Sequence, residues 1–146
     1  MVISKEQRAK WKSSVSALLK DPFGQQAFTD FLEDRKGEDD IINCVEFYER
    51  CESHKKLEEN LELRDSAQDI HETYLDRLAE KEIPTGGQTR KVSEILESED
   101  VSDETLKSIF DDSQEHVCKF ISDGTAYKVF CTQLNRTNTS VCVILC

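Results

Sequence analysis

Three histidines, His54, His71 and His116, and six cysteines are the side chains here best suited to hold a metal or act as a nucleophile. A metal centre needs several such ligands converging, which sequences write as C-x-x-C pairs or as H-x-x-x-H on a helix. No two of these residues stand at either spacing. His116 and Cys118 share a segment but are two apart, which turns them to different faces of a helix. Cys44, Cys51 and Cys118 fall at apolar positions of helical periodicity, as most of the six do, so buried, reduced thiols are expected rather than a disulfide framework. The residues therefore imply no catalytic centre, no metal and no cofactor, and a protein that acts by binding.

Charge narrows what it binds. The 146 residues carry a formal charge of −11, which repels nucleic acid and anionic lipid, because binding either depends on Lys and Arg displacing counterions. The expected partner is a protein with a basic patch. No stretch approaches the roughly 18 apolar residues of a membrane span, and the opening Met-Val-Ile-Ser-Lys-Glu-Gln-Arg has no signal-like apolar run. The expected address is the cytoplasm. Near the other end, Cys142-Val-Ile-Leu resembles a prenylation box but is followed by Cys146, so the four-residue terminus is missing. Cys142 and Cys146 are instead candidate S-acylation sites for peripheral attachment at the inner face of the plasma membrane, where a single acyl chain binds only marginally.

The elements that position these groups read as helices. Ser4 with Gln7 forms a capping box, and Trp11, Val15, Leu18 and Leu19 recur at helical spacing, which predicts a first helix over 5–19. After the turn Asp21-Pro22-Phe23-Gly24, the residues Ala27, Phe28, Phe31 and Leu32 mark a second helix that stops near Gly37. Ile41, Ile42, Val45 and Tyr48 give a third, ending near Ser53, with acidic residues at its dipole-positive start. Leu63, Ala67, Ile70, Tyr74 and Leu78 line a longer helix, stopped by Ile83-Pro84-Thr85-Gly86-Gly87. A short helix at Val92, Ile95 and Leu96, a long one from Leu106 to Ile121 that includes Phe120, and a last one at Tyr127, Phe130 and Leu134 complete an all-α bundle of seven to nine helices. Residues 1–134 are expected to form the helical domain and 135–146 a mobile tail.

The order of these residues resembles a known family. Trp11, Leu18-Leu19, Gly24, Phe28 and Phe31-Leu32 follow the opening of regulator of G-protein signalling (RGS) domains: a tryptophan, a Leu-Leu or similar pair, a glycine and Phe-x-x-Phe-Leu. Phe110-Asp111-Asp112-Ser113-Gln114, and then Tyr127 and Phe130, look like a second block of the same family, and the likeness covers about residues 7–134. These aromatics are packing residues there and name the architecture, not the partner.

What the resemblance implies about function concerns three inter-helix loops at one end of the bundle, which in RGS domains grip a G-protein α subunit (Gα). Carried over, the partner-binding residues are Glu38, Asp39 and Asp40; Thr89, Arg90 and Lys91; and Asp123, Thr125 and Lys128. Activating members hold the GTPase switch segments in their transition-state shape and supply no nucleophile or base. The middle stretch here reads Gln88-Thr89-Arg90-Lys91 where activating members offer an Asn, which replaces an amide with cations. The resemblance therefore implies a Gα-binding inhibitor of signal transduction, with GTPase activation as one route. An axin-like scaffold domain that binds a partner peptide without accelerating hydrolysis is the alternative.

Overall fold

A computed structural model describes residues 3–84 and 88–136. Cys142 and Cys146, most of the expected tail and residues 85–87 of the Ile83–Gly87 turn lie outside the described residues. Among those described there are nine α-helices and no strand: α1 Lys5–Ser13, α2 Val15–Lys20, α3 Pro22–Glu33, α4 Asp39–Lys55, α5 Asn60–Ile70, α6 Gln88–Glu97, α7 Asp103–Lys107, α8 Asp111–Asp123 and α9 Thr125–Arg136. α5 continues into a π-turn, His71–Leu75. The all-helical expectation holds, but two helices are interrupted and one stops early, each for a local reason.

The expected 5–19 helix is two helices. Ser14 leaves the helical region at φ −165° and ψ 157°, and its hydroxyl accepts the Ala17 amide. A serine that competes with the backbone ladder in this way starts a new helix instead of continuing the old one. The long helix expected from Leu106 is likewise split: Ser102 caps α7, the chain turns at Ser108, and α8 starts afresh at Asp111. The helix expected to reach Leu78 ends at Leu75. There the Asp76 amide bonds the His71 carbonyl at 2.8 Å, five residues back, and Asp76 itself is extended at φ −65° and ψ 147°, so the chain leaves the helix before Leu78. Leu78 is accordingly 89% exposed, at φ 67°. Phe120 is also exposed, because α8 buries Val117 and Ile121 and Phe120 lies one position, about 100°, off that stripe.

The described residues group into two compact units, 3–45 with 118–136 and 46–84 with 88–117. In the first, Trp11, Leu18, Phe28, Leu32 and Phe130 are fully buried. Phe28 meets Phe130 edge-on at 5.1 Å between ring centroids, Phe31 meets Phe130 at 5.4 Å, and Tyr127 stands perpendicular to Phe28 at 6.3 Å. Such pairs contribute about 0.5–1.5 kcal/mol each beyond burial. The Trp11 indole donates to Asp21 Oδ2 at 2.8 Å, while the other Asp21 oxygen accepts the Phe23 amide and caps α3, with Pro22 in its first turn. Gly24 lies against this junction, where a Cβ would come within 2.6 Å of the Leu18 carbonyl oxygen and 2.8 Å of the Trp11 indole nitrogen.

In the second unit Phe47 meets Tyr74 at 5.6 Å and Phe110 at 6.0 Å, with Leu63, Ile70, Leu75 and Leu106 buried in the same core. His54 is fully enclosed there. Its Nε2 donates to the Leu106 carbonyl at 2.7 Å and its Nδ1 accepts from the Ser66 hydroxyl at 2.9 Å, since a carbonyl can only accept and the neutral ring then has one acceptor left.

Candidate functional surface

The acidic group of the first unit is built by the turn into α4. Gly37 takes φ 84°, a conformation natural to glycine, and the chain then enters α4 with the Glu38 carbonyl accepting from Ile41 and Ile42. Glu38 is half-buried and its carboxylate lies 3.6 Å from the Arg35 guanidinium, which itself stands 5.3 Å over the Phe31 ring. Asp39 and Asp40 are exposed on the first turn of α4, where the helix dipole favours negative charge. Both side chains are open to solvent.

At the α8–α9 junction Asp123 is the last residue of α8 and Thr125 the first of α9, with the Gly124 amide bonded to the Ile121 carbonyl at 3.1 Å between them. Asp123, Thr125 and Lys128 are all exposed. They form a short polar rim of both charges and both helix ends.

The middle group belongs to the second unit. Thr89, Arg90 and Lys91 stand in the first turn of α6, so the segment read as a loop is helical at these three positions. Thr89 Oγ1 donates to the Leu75 carbonyl at 2.9 Å and ties α6 to the end of the π-turn. Arg90 pairs with Glu94 one turn on, at 3.3 Å, and Lys91 with Asp112 at 3.0 Å. Both cations thus have carboxylate partners, at exposed sites where such pairs contribute little to stability. Lys91, Ile95 and Thr105 line two adjoining clefts of about 500 and 300 Å³ beside α6. Sequence reasoning missed Asp112 and Glu94 as partners. The four-residue step from Arg90 to Glu94 was a readable signal for one of them, whereas nothing in sequence joins Lys91 to Asp112.

Of the groups suited to metal or nucleophile chemistry, His54, His71, Cys44 and Cys51 are buried. His54 is held as described, and burial lowers its pKa. His71 is buried, with Nε2 2.9 Å from the Ser93 hydroxyl. Cys44 and Cys51 are buried thiols outside any disulfide, while Cys118 and Cys131 are reduced and half-buried, so Cys118 is less enclosed than expected. Burial first, then the charge of Asp40, pushes the Cys44 thiol up to about 12, and burial raises Cys51 well above its ordinary value. No group of three or more His, Cys, Asp or Glu among the described residues is placed to hold a metal ion.

With this arrangement in view, the sequence matches the family described as Regulator of G protein signaling domain over residues 14–134. The chain belongs to this family. Among its relatives, Regulator of G-protein signaling 10 of Mus musculus is 36% identical over 89 residues, 61% of this chain and 47% of that protein. Regulator of G-protein signaling 18 of Rattus norvegicus is 33% identical over 128 residues, 88% of this chain and 50% of that protein. Regulator of G-protein signaling 5 of Mus musculus is 29% identical over 80 residues, 55% of this chain and 42% of that protein. The RGS chain described here spans about half the length of the curated relatives it matches. The aromatic and glycine pattern from Trp11 to Leu32, and Phe110, Ser113, Gln114, Tyr127 and Phe130 of the second block, are buried framework of this RGS domain.

Proposed function

We propose that this RGS domain binds an activated Gα subunit and dampens signalling by favouring the transition-state shape of its GTPase switch segments. The observation that carries the reading is the family match over residues 14–134. The acidic pair Asp39 and Asp40 on α4, the first turn of α6 at Thr89, Arg90 and Lys91, and the α8–α9 corner at Asp123, Thr125 and Lys128 are the contact residues of this proposal. Their role is positional: hydrogen bonds and charges that fix a flexible switch lower the barrier without supplying a nucleophile or base. The catalytic groups are then the partner's own.

Arg90 and Lys91 are already paired with Glu94 and Asp112, so they enter such a contact as shielded cations. The reading places the domain in the cytoplasm, where Gα subunits work. Among the described residues no helix is long and apolar enough to cross a membrane, and acylation at Cys142 and Cys146 is the proposed means of any membrane attachment. The axin-like scaffold alternative has no separate observation in its favour. Single-turnover GTP hydrolysis by a panel of Gα subunits, with and without this protein, tests the proposal. Faster hydrolysis by at least one subunit is expected, and unchanged rates across the panel together with no binding to any nucleotide state would remove it.

A further inference from the structure

The formal charge of −11 is unevenly held. Among the described residues the first unit carries ten Lys and Arg against nine Asp and Glu, and the second unit nine against twenty-one. The anionic excess, and the repulsion of anionic surfaces that goes with it, therefore belongs to the second unit. Within the first unit, cations collect on the α1 and α9 helices. α1 holds Lys5, Arg8, Lys10 and Lys12 against a single acid, Glu6, and α9 holds no Asp or Glu at all.

Helix geometry aligns these charges. Lys5, Arg8 and Lys12 follow at steps of three and four and share one edge of α1, while Glu6 is turned about 100° from Lys5. On α9, Thr132, Asn135 and Arg136 share one exposed stripe by the same spacing. Two side-chain bonds join the helices: the Lys12 ammonium donates to the Asn135 side-chain oxygen, and the Tyr127 hydroxyl donates to the Trp11 carbonyl. Lys5, Arg8, Lys12 and Arg136 thus form one cationic face, fully open to solvent at Lys5, Lys12 and Arg136.

Four clustered cations suit a polyanion, either a bilayer containing acidic phospholipid or a nucleic acid. The sequence beyond α9 favours the bilayer. α9 ends at Arg136, and the run Val141-Cys142-Val143-Ile144-Leu145-Cys146 begins five residues later. At no more than about 3.6 Å per residue, the start of this apolar run is tethered within about 18 Å of the end of α9. A nucleic acid offers such a run no partner, whereas a bilayer takes basic charge at its headgroups and apolar side chains beneath them. We propose that the α1–α9 face docks on the anionic headgroups of a phospholipid bilayer. This stands independently of the Gα reading, and it supplies the second signal that one acyl chain at Cys142 or Cys146 needs for stable attachment.

Co-sedimentation of the unacylated full chain with vesicles tests the proposal, using phosphatidylcholine alone and phosphatidylcholine with about one-third phosphatidylserine. Binding to the anionic vesicles is expected to be at least about tenfold tighter than to the neutral ones and to weaken with salt. Lys5→Glu with Arg136→Glu leaves the Lys12 to Asn135 bond in place and should weaken anionic binding at least about tenfold. Lys56→Glu with Arg77→Glu reaches the same net charge through exposed residues of the second unit and should stay within about threefold of wild type. Thermal melting checks that the variants are folded; should the first melt low, Lys5→Gln with Arg136→Gln takes its place, with a loss of at least about threefold. Equal binding to the two vesicle types, or none, overturns the proposal. So does an undiminished affinity of the folded α1–α9 variant, or an equal loss in the second-unit variant. Tighter binding to a DNA duplex at the same salt, lost in the α1–α9 variant, also overturns it and assigns the face to nucleic acid.

Discussion

The phenolic hydroxyl of Tyr127 donates to the backbone carbonyl of Trp11 at 2.6 Å, across 116 positions of sequence. α1 ends at Ser13, so the Trp11 carbonyl is one of the last four that a helix leaves without a partner of its own. A side chain of α9 supplies the missing donor. This bond joins the two sequence blocks that carry the family resemblance, and it does so within one unit.

Tyr127→Phe keeps the ring against Phe28 and removes only the donor. It is expected to lower stability in urea by about 1–3 kcal/mol, the cost of a buried carbonyl left unsatisfied. An unchanged urea midpoint would show that water replaces the phenol there.

Gly24→Ala places a methyl group 2.6 Å from a backbone oxygen and 2.8 Å from an indole nitrogen held by Asp21. Neither neighbour is a free chain end. The expected loss is about 1–3 kcal/mol, read as a lowered urea midpoint and a change in Trp11 fluorescence. A variant as stable as wild type would mean that the α2–α3 junction relaxes without cost.

Stability should depend on pH through His54. Its pKa is lowered in the folded state, chiefly by burial and further by Lys55, against a smaller opposing hydrogen bond to Leu106. The unfolded chain therefore takes up a proton before the native one does. The contribution is complete above the unfolded value of about 6.5 and is lost as pH falls from there through the folded value. Urea midpoints of wild type and His54→Asn, followed from pH 8 to pH 5, should converge on acidification. Parallel curves would contradict the assignment.

Thiol reactivity offers an independent check on burial. With the Cys44 thiol near 12 and Cys51 well raised, iodoacetamide at pH 8 should leave both unmodified in native protein and label them once the chain is unfolded. Peptide mapping that finds Cys44 alkylated within minutes in the native state would contradict its place in the core.

The helical class, the aromatic framework and the start of α1 were legible because they rest on short-range rules. Ser4 and Gln7 form the expected capping box, and Phe28, Phe31 and Phe130 lie buried as their spacing implied. The break at Ser14 was hidden because Trp11, Val15, Leu18 and Leu19 keep helical spacing through it, and only the serine's competing hydrogen bond marks the boundary. Leu78 misled in the opposite way. It stands four residues after Tyr74, a spacing that predicts burial, but the helix ends at Leu75 and Asp76 is extended. His54 was unreadable as a buried residue because its decisive partner, the Leu106 carbonyl, lies 52 positions away. Of the proposed contact residues, Asp39, Asp40 and Asp123 read directly as charge at helix ends, whereas the pairing of Lys91 with Asp112 spans 21 positions and could not be read.

Asp39 and Asp40 are the simplest electrostatic test of the contact surface. Asp39→Asn with Asp40→Asn should slow association with Gα and flatten its dependence on salt, as expected for solvent-facing charges that steer encounter. It should also cost about 0.3–1 kcal/mol of stability per residue through the α4 dipole. Association rates and a salt slope equal to wild type would take this turn out of the interface.

The central claim is recognition of an activated Gα subunit. Its most direct test is calorimetric titration of this protein into Gα subunits in the GDP state and in the GDP–aluminium fluoride state, which mimics hydrolysis in progress. The account predicts measurable binding to the fluoride form of at least one subunit, at least tenfold tighter than to the GDP form, a gap of about 1.4 kcal/mol. Equal affinity for the two states, or no heat with any subunit, would contradict it.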